Sequence, residues 1–148
     1  MRVRPLLLGF PARIPALLGA LLLAALVAAP QSGRAAAPVR LGVIAARTGD
    51  AAASGLALFA AARFAVEEIN AAGGLLGRPV QILEYDTQGA APGARAAAEA
   101  AAFDQVDAVV GAARSEHSLA MAPVLQEAGI PMITPCSGNP QVTAVGDY

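Results

Sequence analysis

Ser115, Glu116 and His117 place a nucleophile, an acid and a base at three consecutive positions. A hydrolytic relay needs side chains that converge from separate segments, and three successive residues project apart. The sequence therefore reads them as a binding loop or a solvated turn. His117 is the single histidine, with no second His or Cys at metal-ligand spacing, so no metal site is expected. Glu67 and Glu68 are adjacent in a helical stretch, where neighbours point in different directions; they read as a solvated face and not as an acid/base pair. Gly42, Gly49 and Gly55 span a strand-to-helix junction, a place where a phosphate can rest on a helix N-terminus. Their spacing is not G-x-G-x-x-G, so a turn is the plainer reading. Glu84, Tyr85 and Asp86 close a strand and read as exposed polar groups, and the lone Cys136 has no intramolecular disulfide partner. None of these groups implies a cofactor.

The elements that position them follow from periodicity. Val39 to Ala45 is a near-continuous apolar run, as in a strand covered on both faces. Ser54 to Ala72 predicts a long helix, with Leu56, Phe59, Phe64 and Ile69 expected to pack on the sheet. Gly73 and Gly74 end it, because glycine adopts the left-handed conformation of a helix C-cap without a Cβ penalty. Pro79 to Tyr85 predicts the second strand. Pro92 opens a second helix running to about Phe103, through an alanine-rich stretch of high helix propensity.

Val106 to Gly111 reads as a third strand and Ser118 to Ala128 as a third helix, with Pro123 in or near its first turns or kinking it. Ile130 to Thr134 reads as a fourth strand, and the residues after Pro135 as turns. Alternating strands and helices predict an α/β, Rossmann-like parallel sheet with helices on both faces and strand order 2-1-3-4. Ligands of such sheets bind outside the carboxyl ends of the strands. That points to Arg47–Gly55, Ala112–Ser118 and Pro135–Pro140.

The first 37 residues have a different character. Arg2, Arg4 and Arg13 precede a 14-residue apolar run, Ala16 to Ala29, and then the small residues around Ser32 to Ala37. This is the layout of a secretory signal, and the run is short of the roughly 20 residues that span a bilayer. Residues 1–37 are therefore expected to be a cleaved signal peptide and 38–148 the folded part. The whole chain has 10 basic residues, all Arg, against 11 acidic ones. Without Arg2, Arg4, Arg13 and Arg34 the remainder carries a formal charge of -5. Few aromatics and no arginine cluster argue against nucleic-acid binding.

The stretch Ala65-Val66-Glu67-Glu68-Ile69-Asn70-Ala71-Ala72-Gly73-Gly74-Leu75-Leu76-Gly77-Arg78-Pro79-Val80 resembles the branched-chain amino-acid (leucine/isoleucine/valine-binding) proteins of ABC transporters, which have the type I periplasmic binding fold. Gly42 to Ala45 with Thr48-Gly49, Asp86, Val106 to Gly111, and Pro131 to Pro135 with Asn139-Pro140 extend the likeness over nearly all of the chain after the leader. The resemblance implies one lobe of a two-lobed periplasmic protein, incomplete at Val145 to Tyr148, that captures an amino acid or similar carboxylate and delivers it to a membrane permease. It implies a monomer and no enzymatic activity.

By motif, the carboxylate-binding hydroxyl after the third strand falls on Ser115, the contacts after the fourth strand on Cys136 and Gly138, and a first-loop contact on Ser54. Gly138 stands where the family commonly has Thr, with Ser137 beside it as a substitute hydroxyl. Arg114 replaces a smaller residue; it either pairs with a ligand carboxylate or projects into solvent. The same fold also serves receptor ligand-sensing domains, and a doubly wound sheet also serves enzymes. The second would need a convergent nucleophile and base, which the sequence does not offer.

Overall fold

The computed structural model describes residues 37–146. The leader expected over residues 1–37 lies, but for Ala37, outside the described residues. Four strands form one parallel sheet: β1 (Val39–Ala45), β2 (Val80–Asp86), β3 (Ala108–Gly111) and β4 (Met132–Ile133), in the order β2-β1-β3-β4. The expected topology is therefore the observed one. Helix α1 (Ala52–Ala71) connects β1 to β2, α2 (Ala91–Phe103) connects β2 to β3, and α3 (Ser115–Glu127) connects β3 to β4. A short 3-10 turn, Pro140–Ala144, follows, with the Asn139 side chain accepting the Gln141 N–H at 2.9 Å. Among the described residues no helix is long and apolar enough to cross a membrane.

Register assigns the faces. Ile44 pairs with Tyr85 and Gly111, and Gly42 with Leu83 and Val109; side chains in these rows share one face because Cβ direction alternates along a strand. On that face Ile44 and Val109 meet Ala94, Ala98 and Ala101 of α2 and Met121 and Leu125 of α3. The alanine side of α2 lets the two helices approach closely over the sheet. On the opposite face Val43 and Ala45 pack against Phe59 of α1, with Leu41 and Ile82 beside them. Helices thus cover both faces, as the continuous apolar character of β1 requires.

Of the four α1 residues expected to pack on the sheet, Phe59 does so and the other three do not. Gly55, Phe59 and Val66 are buried, whereas Leu56, Phe64 and Ile69 are 51%, 63% and 40% exposed. In a helix rich in Ala and Leu, apolar residues surround the axis, so a four-residue spacing alone does not select the face. What selects it is Gly55. A Cβ there would lie 1.8 Å from the Ala46 carbonyl oxygen, so only glycine lets the start of α1 press against the end of β1.

Boundaries shift for the same kind of local reason. Both α1 and α3 begin earlier than expected, at Ala52 and Ser115, and neither preceding residue, Ala51 or Arg114, caps its helix with a side-chain bond. Without a capping Ser, Thr, Asp or Asn, the sequence carries no start signal. α1 stops where expected, with the Gly74 N–H bonded to the Ile69 carbonyl at 2.9 Å and positive φ at both Gly73 and Gly74. Pro123 sits well inside α3, on its exposed side. β4 shrinks to two residues at the sheet edge, and Ile133 is 70% exposed.

Candidate functional site

The carboxyl ends of the strands carry the three expected segments. The first, after β1, is held by Asp86 at the end of β2. One of its oxygens accepts the Arg47 N–H at 2.7 Å and the Gln88 N–H at 2.8 Å, and the other accepts the Thr48 hydroxyl at 2.8 Å. Burial opposes ionisation of Asp86, but these donors outweigh it and hold the carboxyl below its ordinary range. Beside it, Glu84 accepts Arg63 Nε at 2.7 Å and pairs with Arg47, whose guanidinium lies 5.0 Å from the centre of the Phe59 ring. Hydrogen bonding from Arg63 is the main cause of the lowered pKa of Glu84. Tyr85 donates to Asp104 at 2.8 Å; burial first, and this carboxylate second, push its hydroxyl pKa up. Glu84, Tyr85 and Asp86, read from sequence as exposed polar groups, are instead tied to α1, α2 and the first loop.

The second segment opens α3. Ser115, Glu116 and His117 form its first turn and not a loop. Ser115 Oγ accepts the Asn139 N–H at 3.3 Å, which leaves its own hydroxyl hydrogen to donate. The third segment is tied to the second by hydroxyls. Thr134 Oγ1 donates to the Ala112 carbonyl at 2.7 Å, and Ser137 Oγ lies 2.7 Å from both Thr134 Oγ1 and Ser118 Oγ. Ser118 is fully buried and its Oγ also accepts the Ala112 N–H at 3.2 Å. Ser137 therefore braces the loop, while Cys136 and Gly138 on either side of it are exposed. Ser118 and Thr134 do this work without a sequence signal, because a Ser inside a helix and a Thr closing a strand are ordinary residues there.

Arg114 and Ser54 meet. Both line a small pocket between the starts of α1 and α3, together with Gly55, Ala112 and His117. Ser54 is in the first turn of α1, its hydroxyl donating to the Ala51 carbonyl at 2.9 Å. Arg114 reaches Asp50 at 3.3 Å and Glu116 at 3.6 Å, so its guanidinium is already paired. Ser115, Cys136, Ser137 and Gly138 lie outside this pocket, on the neighbouring ends of β3 and β4. First-turn N–H groups of an α-helix have no intrahelical acceptor, and the partial positive charge of a helix N-terminus favours an anion. The arrangement offers hydrogen-bond donors at the carboxyl ends of β3 and β4. It shows no hydrolytic relay, since Ser115 Oγ engages Asn139 and not His117, and no metal-ligating cluster exists among the described residues.

A family model described as periplasmic binding protein matches residues 38–147. The chain belongs to that family. As a periplasmic binding protein it is 34% identical over 129 residues to the Leu/Ile/Val-binding protein of Escherichia coli K12, covering 86% of this chain and 35% of the relative. It is 39% identical over 116 residues to an amino acid binding protein of Pseudomonas aeruginosa, covering 78% of this chain and 31% of that one. Among solved structures, it superimposes with a TM-score of 0.71 on a branched-chain amino acid transporter substrate binding protein from Streptococcus pneumoniae in complex with isoleucine, at 31% identity over 75% of this chain and 32% of that chain. The fold is the type I periplasmic binding fold. The chain spans about a third of the length of the relatives it matches.

Proposed function

We propose that this chain is part of the solute-binding component of an ABC importer, capturing branched-chain or related amino acids. In this reading residues 38–148 supply first-lobe structure, residues 1–37 direct export to the periplasm and are removed, and a membrane permease is the partner. The observation that supports it most is the meeting of the α3 N-terminus, with Ser115 in its first turn, and the loop after β4, which the Ser115–Asn139 bond joins. A carboxylate placed there takes the Ser115 hydroxyl and the free N–H groups at the start of α3, and exposed backbone at Cys136 and Gly138 is within the same loop to receive an ammonium. Ser54 and Arg114 line the adjoining pocket and meet the rest of the solute. Closure of a second lobe excludes water and strengthens these contacts, since the same charges interact far more weakly in high dielectric. No covalent step is required, so the protein acts as a binder and not as an enzyme.

Calorimetric titration of the full-length gene product with the standard amino acids tests this. Saturable binding of leucine, isoleucine, valine or a related amino acid is expected. Ser115→Ala should weaken it by about 1–3 kcal/mol, the scale for a charged group that loses a buried hydrogen-bond partner. Absence of binding across the panel would remove the amino-acid reading, and unchanged affinity in the variant would remove Ser115 from the site.

A further inference from the structure

The chain enters the sheet through a clasp. As β1 meets β2, the Val39 N–H donates to the Pro79 carbonyl at 2.8 Å. Just ahead of it Arg78 holds two successive carbonyls, its Nε donating to Ala37 at 2.7 Å and its Nη2 to Pro38 at 3.1 Å. Arg78 is itself fixed. It closes a tight turn with Leu75, each donating its N–H to the other's carbonyl, and a Cβ on Gly74 would collide with the Arg78 carbonyl. Beyond the turn, the Asn70 side chain accepts the Val80 N–H at 2.7 Å and donates to the Val80 carbonyl at 2.9 Å. The planar fork of a guanidinium, presented from a braced turn, suits two carbonyls in series. The folded body therefore uses Ala37.

A secretory leader is cut after a small-x-small sequence, with small residues first and third before the broken bond. Ala35, Ala36 and Ala37 each offer the first. Cutting after Ala36 places Arg34 third, and a long cation does not fit a small-residue seat. Cutting after Ala37 places Ala35 third, but the bond then leads into Pro38, a tertiary amide with no N–H and a ring that crowds the carbonyl. That cut would also remove the acceptor of Arg78 Nε and put an ammonium on the residue whose carbonyl the guanidinium holds. Like charges so placed repel. Cutting after Ala35 places Gly33 third and leaves the clasp whole.

We propose that a signal peptidase hydrolyses the Ala35–Ala36 bond and that Arg78 anchors the amino terminus so made. Water adds across the amide: its oxygen goes to the Ala35 carbonyl carbon, which leaves as a carboxylate, and a proton goes to the Ala36 nitrogen, which becomes the new α-ammonium. Ala36 then precedes the clasp without taking part in it, and the Ala37 and Pro38 carbonyls stay with Arg78. The inference rests on the export reading above and moves its boundary from residue 37 to residue 35.

The test is the intact mass and amino-terminal sequence of the protein recovered from a Gram-negative host that makes the full-length gene product. A chain beginning Ala36-Ala37-Pro38 is expected. A start at Ala37, Pro38 or any other internal residue would overturn the inference and leave the export reading standing; a chain still beginning at Met1 would overturn both. Gly33→Asp alters the third position before the Ala35–Ala36 bond and should block or move the cut, so unchanged processing in that variant would count against the assigned bond. The anchor is tested by thermal unfolding of the exported protein. Arg78→Ala should lower the midpoint, and Arg78→Lys, which keeps the charge but lacks the fork, should recover only part of it. A midpoint that neither substitution moves would remove Arg78 from its role. The start of the unaltered chain decides the cleavage whether or not a variant folds.

Discussion

At the residue scale, the site is built from groups whose roles depend on partners distant in sequence. Gly138 is the clearest case for engineering. A Cβ added there meets nothing within 4 Å, and its φ is not in the left-handed region. Gly138→Thr should therefore be accommodated without loss of stability and should tighten amino-acid binding by about 0.5–1.5 kcal/mol, the net worth of one hydrogen bond, as read by titration beside the unaltered protein. The segments that hold Ser115, Cys136, Gly138, Ser137, Ser54 and Arg114 follow from a strand-helix alternation, which places them at the carboxyl ends of the strands; the individual residues within them are only what the family resemblance implies. The orientation of Arg114 could not be read from sequence, because it depends on Asp50, 64 positions away in the chain. The burial of His117 was equally hidden, since a polar residue beside Ser115 and Glu116 reads as solvated until the packing of α3 against the end of β1 is known.

At the scale of elements, the sheet was legible and the helix boundaries were not. Strand order 2-1-3-4 follows from alternation and right-handed connections, which do not depend on any one side chain. The starts of α1 and α3 follow from tertiary contacts, because Ala51 and Arg114 carry no capping bond. Gly55 shows how strong those contacts are. Gly55→Val should displace the start of α1 from the Ala46 carbonyl and lower stability by about 2 kcal/mol or more, the range for forced overpacking, with a matching drop in the urea unfolding midpoint. Ala98 is fully buried where α2 and α3 meet over Ile44, so Ala98→Leu should cost about 1–3 kcal/mol by the same measurement. Leu56→Ala on the exposed side of α1 should change it little.

At the scale of the whole molecule, acid stability follows from the carboxylates that tie elements together. Glu84 and Asp86 both ionise more readily folded than unfolded. The unfolded chain therefore binds protons first as pH falls, and linkage makes unfolding easier. The stability they contribute is complete above the unfolded carboxylate range, about pH 5 and higher, and is lost as pH drops through their depressed folded values. Thermal midpoints measured from pH 6 down to pH 3 should fall less steeply in Glu84→Gln and Asp86→Asn than in the unaltered protein. A parallel decline in all three would show that these two carboxylates do not link folding to protons.

The central claim is that the strand ends of this periplasmic binding fold receive an amino acid. Thermal unfolding of the full-length gene product, followed with each standard amino acid in turn, tests it most directly. A ligand present at about 100 times its dissociation constant adds about 2.7 kcal/mol to folding stability, which raises the midpoint by several degrees. Such a rise is expected with leucine, isoleucine, valine or a related amino acid. An unchanged midpoint with every amino acid would contradict it.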